Sequence, residues 1–77
     1  MSGSGVGVGY MNVHHQRIVA RAKVEGDARP HFITWCGRCG RHYVASDTDV
    51  ISQRCPYHDH GTPALSADSP GVEWLSN

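Results

Sequence analysis

The strongest constraint on the fold of this chain is a set of three cysteines and one histidine arranged as two short steps. Two residues separate Cys36 from Cys39, two separate Cys55 from His58, and fifteen lie between the pairs. A two-residue gap lets both side chains of a turn reach one ion, and two such gaps at this separation fit a tetrahedral zinc site. The sequence therefore predicts one structural Zn²⁺ bound by these four side chains, with His60 as the alternative to His58.

Chain length makes such a metal important for folding. A chain of 77 residues with 39% hydrophobic content buries a modest core, and domains of this size are commonly stabilised by a metal, a disulfide or a partner. All three cysteines belong to the predicted site, which fits a reducing, cytoplasmic or intracellular setting. No stretch has the apolar length of a membrane span, and we expect neither a membrane nor a small-molecule substrate as partner.

Charge is distributed unevenly, although the formal net charge is zero. Residues 1–45 carry a net charge of +4 and residues 46–77 a net charge of −4. Such asymmetry is typical of a basic binding face beside an acidic tail, and ordinary solvated surface is the alternative. The candidates for binding nucleic acid are five basic residues: Arg17, Arg21, Lys23, Arg38 and Arg41.

The first periodic segment lies at residues 16–25. Apolar and polar side chains alternate there with a period of two, which favours a half-buried strand over the competing short helix. On such a strand Arg17, Arg21 and Lys23 share one face. Gly, Asp and Pro then predict a turn over residues 26–30.

Further strands are predicted around the cysteine pairs. They cover residues 31–35, 41–45 and 50–54, with a turn at residues 46–49. The first cysteine pair then lies at the tip of a hairpin, where Gly37 and Gly40 tolerate the positive φ of a tight metal-binding turn.

The two ends of the chain read as arms rather than as part of the sheet. Residues 1–13 form a Gly- and Ser-rich, flexible arm, residues 14–60 the domain, and residues 61–77 an irregular C-terminal arm with two prolines. Trp74 and Leu75 are apolar anchors in this arm and are candidates for binding a protein partner. The predicted architecture is a small β-rich, zinc-stabilised domain of three to four short antiparallel strands.

Catalysis at the metal is not expected. Three cysteines and one histidine complete a tetrahedral sphere and leave no position for a reactive water. The zinc deaminase pattern requires a His-x-Glu step, which this chain lacks. Cys55 and His58 could form a nucleophile–base pair, but metal binding would lower the nucleophilicity of the Cys55 thiolate. We therefore expect a protein that is not an enzyme.

The motif resembles a known structural group. Cys-x2-Cys-Gly, a hairpin and Cys-Pro-x-His resemble the zinc ribbons over about residues 32–58, with two departures: Gly37 where Pro is common, and His58 where Cys is common. The chain is also similar to small phage zinc-finger regulators of the Com type, which place an Ile-containing segment and an Arg-Cys-Pro after the first pair, as Ile51 and residues 54–56 do here. The latter resemblance implies RNA binding.

Two functions follow as hypotheses. In the first, a regulator associated with transcription or translation binds nucleic acid through its basic residues, and Trp35, Tyr43 and Tyr57 stack on bases. The alternative role of Trp35 and Tyr43, together with Phe32, is to form the core over the metal. In the second hypothesis, the domain is an assembly module that meets a protein, such as a polymerase, through a strand edge or through Trp74.

Overall fold

Four antiparallel strands form a single sheet. The structure is a computed structural model that describes residues 7–58, 60–61 and 64–75. The strands are β1 (Gln16–Val24), β2 (Asp27–Cys36), β3 (His42–Ser46) and β4 (Val72–Leu75). Their order across the sheet is β3-β2-β1-β4. The prediction of a small β-rich fold is confirmed, and no helix in the described residues is long and apolar enough to cross a membrane.

The hairpin of β1 and β2 confirms the strand prediction for residues 16–25 and excludes the helix. Its turn is shorter than predicted, because β2 already begins at Asp27 and only Glu25 and Gly26 lie outside the strands. Gly26 supplies the positive φ, at 82°. Pro30 is tolerated within β2 because it belongs to no regular strand pair. On one side the register between β1 and β2 is irregular at this point, and on the other side the pairing with β3 begins only at His31.

A bulge in β1 divides the predicted basic stripe. Arg17 pairs with Trp35 and Arg21 pairs with Phe32, but the register of β1 against β2 shifts between Ile18 and Ala20. Cross-strand partners in an antiparallel sheet point to the same face, and the extra residue of a bulge inverts the alternation. Arg17 therefore lies on the opposite face of the sheet from Arg21, and the prediction of one shared face is wrong.

Both faces of the sheet carry apolar clusters. On one face the cluster consists of Ile18, Phe32, Tyr43, Ala45 and Val50. On the other face it consists of Ala22, Ile33, Val44 and Ala67. Because neighbouring residues of a strand point in opposite directions, the consecutive pairs in β2 and β3 supply both clusters.

The segment before β1 is hydrogen-bonded to it. Gly9 N–H donates to the carbonyl of Ile18, and Ile18 N–H donates to the carbonyl of Tyr10, at 2.9 and 2.8 Å. The Asn12 side chain donates to the carbonyls of Val50 and Gln53, at 2.8 and 2.9 Å. Residues 7–13 thus contact the domain where a flexible arm was predicted; the first six residues of that arm lie outside the described part of the chain.

The last predicted strand is replaced by turns. Val50 N–H donates to the carbonyl of Ser46, Ser52 N–H donates to the carbonyl of Asp49, and no strand covers residues 50–54. The hydroxyl of Ser46 also accepts from Asp49 N–H, at 3.2 Å. These local bonds compete with the ladder bonds of a strand, as is usual for Ser and Asp. The strand prediction for this segment is wrong.

The C-terminal segment is also more regular than predicted. β4 pairs with β1, with Leu75 opposite Arg21 and Trp74 opposite Ala22. Leu65, which precedes β4 in the chain, lies along the outer edge of β3. Its carbonyl accepts a hydrogen bond from Val44 N–H, at 2.9 Å. The prediction of an irregular arm is wrong for Val72–Leu75, because pairing with β1 satisfies backbone groups that the sequence pattern leaves unassigned.

Candidate metal centre

The fold brings the four predicted ligands together. Their ligand atoms all lie within 4.8 Å of one another, with the Cys36 sulfur 3.1 Å from His58 Nε2 and the Cys39 sulfur 3.6 Å from that of Cys55. His60 is exposed and lies outside this group. Three sulfurs and one imidazole nitrogen so arranged are compatible with a single bound metal ion.

The separations can be compared with a tetrahedral site. Zn–S bonds of about 2.3 Å place two sulfurs of a tetrahedron about 3.8 Å apart. The sulfurs of Cys39 and Cys55, at 3.6 Å, are close to this separation and far beyond the roughly 2.05 Å of a disulfide. The residues present therefore fit a zinc ion in both donor chemistry and spacing.

The first half-site is the turn between β2 and β3. Cys36 ends β2, its N–H donates to the carbonyl of Arg41 at 2.9 Å, and its carbonyl accepts from Gly40 N–H at 2.9 Å. Gly40 has a φ of 76°, as predicted for this turn. Arg38 N–H points at the Cys36 sulfur, at 3.4 Å, and so stabilises negative charge on it.

Gly37 has a different role from the predicted one. Its N–H donates to the carbonyl of His15 at 2.9 Å, and a Cβ at this position would lie 3.1 Å from that oxygen. Close approach, rather than positive φ, favours glycine here, because an added Cβ would require the His15 carbonyl to shift by a few tenths of an ångström. Because proline has no N–H, it would lose this bond, which accounts for the departure from the proline common in zinc ribbons.

The second half-site follows the turns after β3 and is held by Gly61. Its N–H donates to the carbonyl of Cys55, at 3.1 Å. A Cβ on Gly61 would overlap the carbonyl of Arg54. Gly61 therefore packs directly on the backbone that carries Cys55.

Gln16 contacts the predicted metal ligands, and motif spacing did not reveal it. Its amide nitrogen donates to the Cys36 sulfur at 3.3 Å and to the carbonyl of His14 at 2.9 Å. Its amide oxygen accepts from the hydroxyl of Tyr43, at 2.8 Å. The sequence signal that could have identified Gln16 is its position two residues before the apolar Ile18. On a strand these two side chains point to the same face, which is the buried one.

Electrostatics differ between the buried thiols. Burial opposes ionisation of Cys36, but hydrogen bonds from Gln16, from the N–H groups of Cys39 and Arg38 and from His58 outweigh it and lower its pKa to about 6. Burial raises the pKa of Cys55 to about 11 despite hydrogen bonds from backbone N–H groups. The neighbouring sulfurs of Cys39 and Cys36 also raise the pKa of Cys55. Ionising all three neighbouring thiols is therefore unfavourable unless a cation offsets their negative charge.

The five basic candidates and Trp74 are exposed, but the bulge in β1 places Arg17 on the opposite face of the sheet from Arg21. Exposed positions are occupied by all five basic candidates: Arg17, Arg21, Lys23, Arg38 and Arg41. Among the described residues, ion pairs join only Asp27 to Arg29 and to His31, so none of the five has a carboxylate partner. Leu75 is half-buried in β4, whereas Trp74 is exposed.

Beside the first half-site lies an open cleft of about 400 Å³. We call it the Tyr57–Trp74 cleft. Its lining residues are Arg41, His42, Tyr57, Ser66, Ala67, Asp68 and Trp74. Arg41 is predicted from the sequence to bind nucleic acid and Trp74 to bind a protein; the fold places both in one cavity. No sequence pattern links these positions, because the pairing of β4 and the path of residues 64–68 create the cleft.

Comparison of the chain with protein-family models, curated protein sequences and solved structures found no match. The resemblance to zinc ribbons and Com-type regulators thus rests on the motif of residues 32–58 alone.

Proposed function

We propose that this chain is a non-catalytic module of the zinc-ribbon type, that one structural Zn²⁺ stabilises it, and that it binds nucleic acid as a regulator associated with transcription or translation. The observation that carries the zinc proposal is the convergence of three sulfurs and the His58 nitrogen within 4.8 Å. Both half-sites are turns held by backbone hydrogen bonds, which is the arrangement of structural zinc sites.

A structural role follows from the donor set. Four protein ligands complete the tetrahedron and leave no position for a substrate or a water molecule. Cys36 and Cys55 are buried and their thiolates would be shared with the ion, which lowers their nucleophilicity. Zn²⁺ bound here supplies folding free energy, because a site of this kind is not preformed in the unfolded chain.

Nucleic acid is supported as the ligand by cations that lack internal partners. Five exposed basic side chains have no carboxylate partner among the described residues. Two of them belong to the first metal turn: Arg38 lies between Cys36 and Cys39, and Arg41 follows Gly40. A rigid metal turn would hold these two at fixed positions relative to a phosphate backbone. The Com-type resemblance supports RNA as the polymer.

Native mass spectrometry tests the metal. We expect one zinc per chain, released by a chelator with loss of the folded state, since binding and folding are coupled. A chain that stays folded and metal-free would contradict the zinc proposal.

Salt dependence tests the ligand. Binding of the zinc-loaded chain to an RNA or DNA oligonucleotide should weaken steeply as salt increases, and Arg41→Glu should weaken it further. Arg29→Glu is the matched control, because Arg29 is exposed but paired with Asp27. Equal effects of the two substitutions would count against a specific role of Arg41.

A protein partner is the second candidate, favoured by the position of β4. This strand lies at an edge of the sheet, and edge strands present backbone groups to which another chain can add. It also carries the exposed Trp74. Binding that survives high salt and is lost in Trp74→Ala would favour this assembly function over nucleic acid.

A further inference from the structure

The walls of the Tyr57–Trp74 cleft are aromatic and cationic. Tyr57 is 40% exposed, and the guanidinium carbon of Arg41 lies 4.9 Å from the centre of its ring. Trp74 is 51% exposed, and its ring centre lies 6.0 Å from that of His42 at an angle of 44°. Two exposed aromatic rings that line one cleft form a contiguous apolar surface, and such surfaces are typical of ligand-binding sites.

Arg41 presents unused hydrogen-bond donors in this cleft. The guanidinium carbon lies over the Tyr57 ring, and a cation bound to a ring in this way keeps N–H groups for other partners. No carboxylate pairs with it among the described residues. A planar cation of this kind binds phosphate through its edge and stacks on a base through its face.

Among the described residues, the Trp74 side chain makes one hydrogen bond. Its indole N–H donates to the carbonyl of Ala67, at 2.9 Å, which fixes the orientation of the ring. The hydrogen bond uses the ring edge and leaves the ring half exposed. A preoriented indole loses little entropy when a flat ligand stacks on it.

The cleft also contains one carboxylate. Asp68 accepts a hydrogen bond from the hydroxyl of Ser66, at 2.5 Å, and retains further acceptor capacity. A carboxylate accepts from the exocyclic amino group of cytosine, whereas thymine presents a carbonyl oxygen at the equivalent position. Asp68 would thus favour a base that donates.

From these contacts we infer that the Tyr57–Trp74 cleft binds one unpaired, amino-bearing base of a single-stranded nucleic acid. The base stacks against Trp74 and Arg41, its edge donates to Asp68, and the neighbouring phosphate meets the edge of Arg41. The cleft volume of about 400 Å³ lies within the range of about 300–1,000 Å³ that is usual for small-ligand sites. This inference rests on the proposed nucleic-acid function and assigns its base-reading site.

Other occupants fit less well. A cationic ligand, such as a methylated ammonium group, would meet the positive charge of Arg41. A double-stranded helix keeps its bases stacked and presents no free base face to Trp74. The single strand is the polymer that offers both a free base and a phosphate to the cleft.

The test measures binding of the zinc-loaded full chain to labelled oligonucleotides by fluorescence anisotropy. The probes are an eight-residue oligo-dC, an eight-residue oligo-dT, an eight-residue oligo-rC and a blunt DNA duplex of mixed sequence. We expect oligo-dC to bind more tightly than oligo-dT and the duplex, and Trp74→Ala to weaken that binding about 5- to 150-fold, the range of single-base stacking. Trp74→Phe should restore most of the affinity, because it keeps an aromatic face.

Two further variants assign the polar contacts. Asp68→Ala should reduce the preference for oligo-dC over oligo-dT, and Arg41→Gln should weaken oligo-dC more than the charge-matched Arg29→Gln. Native mass spectrometry and thermal melting establish which variants remain folded and metal-loaded. If Trp74→Ala does not fold, Arg41→Gln and Asp68→Ala decide the outcome.

Failure of the cleft and failure of the proposed function give different results. Equal binding of single strand and duplex, with the cleft variants unchanged from the parent chain, overturns the cleft but leaves a nucleic-acid binder. Equal affinity for oligo-dC and oligo-dT overturns the role of Asp68 in base choice. No binding to any probe overturns both proposals.

Discussion

The side-chain amide of Gln16, at the start of β1, donates a hydrogen bond to the sulfur of Cys36, at the end of β2, over 3.3 Å. The two residues are cross-strand partners, and both are buried. Tyr43 fixes the same amide from the other side, and burial raises the pKa of its phenol well above the usual range, so that the hydroxyl stays protonated and donates to Gln16. The sheet thereby connects its core to the metal ligands.

Gln16→Leu should weaken zinc binding. The substitution keeps the approximate volume but removes the amide donor to the Cys36 sulfur. Loss of such an outer hydrogen bond typically costs about 10- to 100-fold in metal affinity. Competition with a chromophoric chelator measures the change.

Tyr43→Phe is the matched control for this prediction. It removes the phenol that orients Gln16 but leaves the amide bond to Cys36 possible, so a smaller loss of zinc affinity is expected. An unchanged zinc affinity in Gln16→Leu would show that the Gln16 side chain contributes only packing.

Gly61→Ala should disturb the second half-site. An added Cβ would overlap the carbonyl of Arg54, and backbone atoms must shift to relieve it. Overpacking of this kind costs about 1–3 kcal/mol in the free energy of unfolding. Gly7→Ala is the control, because a Cβ on Gly7 meets no atom within 4 Å. Thermal melts of the zinc-loaded proteins compare the two, and equal melting temperatures would contradict the role of Gly61.

The metal group was predictable because its signal is local. Two-residue gaps force Cys36 and Cys39, and likewise Cys55 and His58, onto single turns, and the fold adds only the meeting of the turns. The hairpin of β2 and β3 was predictable for the same reason. The period-two pattern also identified β1 correctly.

The other features of the fold depend on how the strands pair with one another, and hydrophobic periodicity along the sequence does not show this pairing. One extra residue after Ile18 inverts the alternation of β1, and nothing in the residue types marks this bulge. β4 is only four residues long and forms where β1 offers free backbone groups. The Tyr57–Trp74 cleft arises from these same pairings and was therefore absent from the sequence-based site.

A fragment limited to residues 14–60 should be less stable than the full chain. It lacks β4 and four apolar residues that belong to or pack against the two core clusters: Tyr10, Ala64, Ala67 and Val72. Losing these contacts should cost about 3 kcal/mol or more. For a domain of this size that lowers the Tm by about 12 °C or more.

Calorimetry of the zinc-loaded fragment and full chain checks this prediction. Both retain the four metal ligands, so the comparison isolates the terminal segments. Equal Tm values would support residues 14–60 as the complete domain.

The last prediction concerns the fourth ligand. His58 Nε2 lies 3.1 Å from the Cys36 sulfur, whereas exposed His60 lies outside the ligand group. His58→Ala should therefore lower zinc affinity by at least tenfold, because three cysteines alone leave the tetrahedron incomplete. His60→Asn should leave zinc affinity unchanged. It should not destabilise the chain either, because His60 has a φ of 52° and asparagine tolerates this region well. Chelator competition and native mass spectrometry of both variants decide the point, and a larger loss in His60→Asn than in His58→Ala would reassign the ligand to His60.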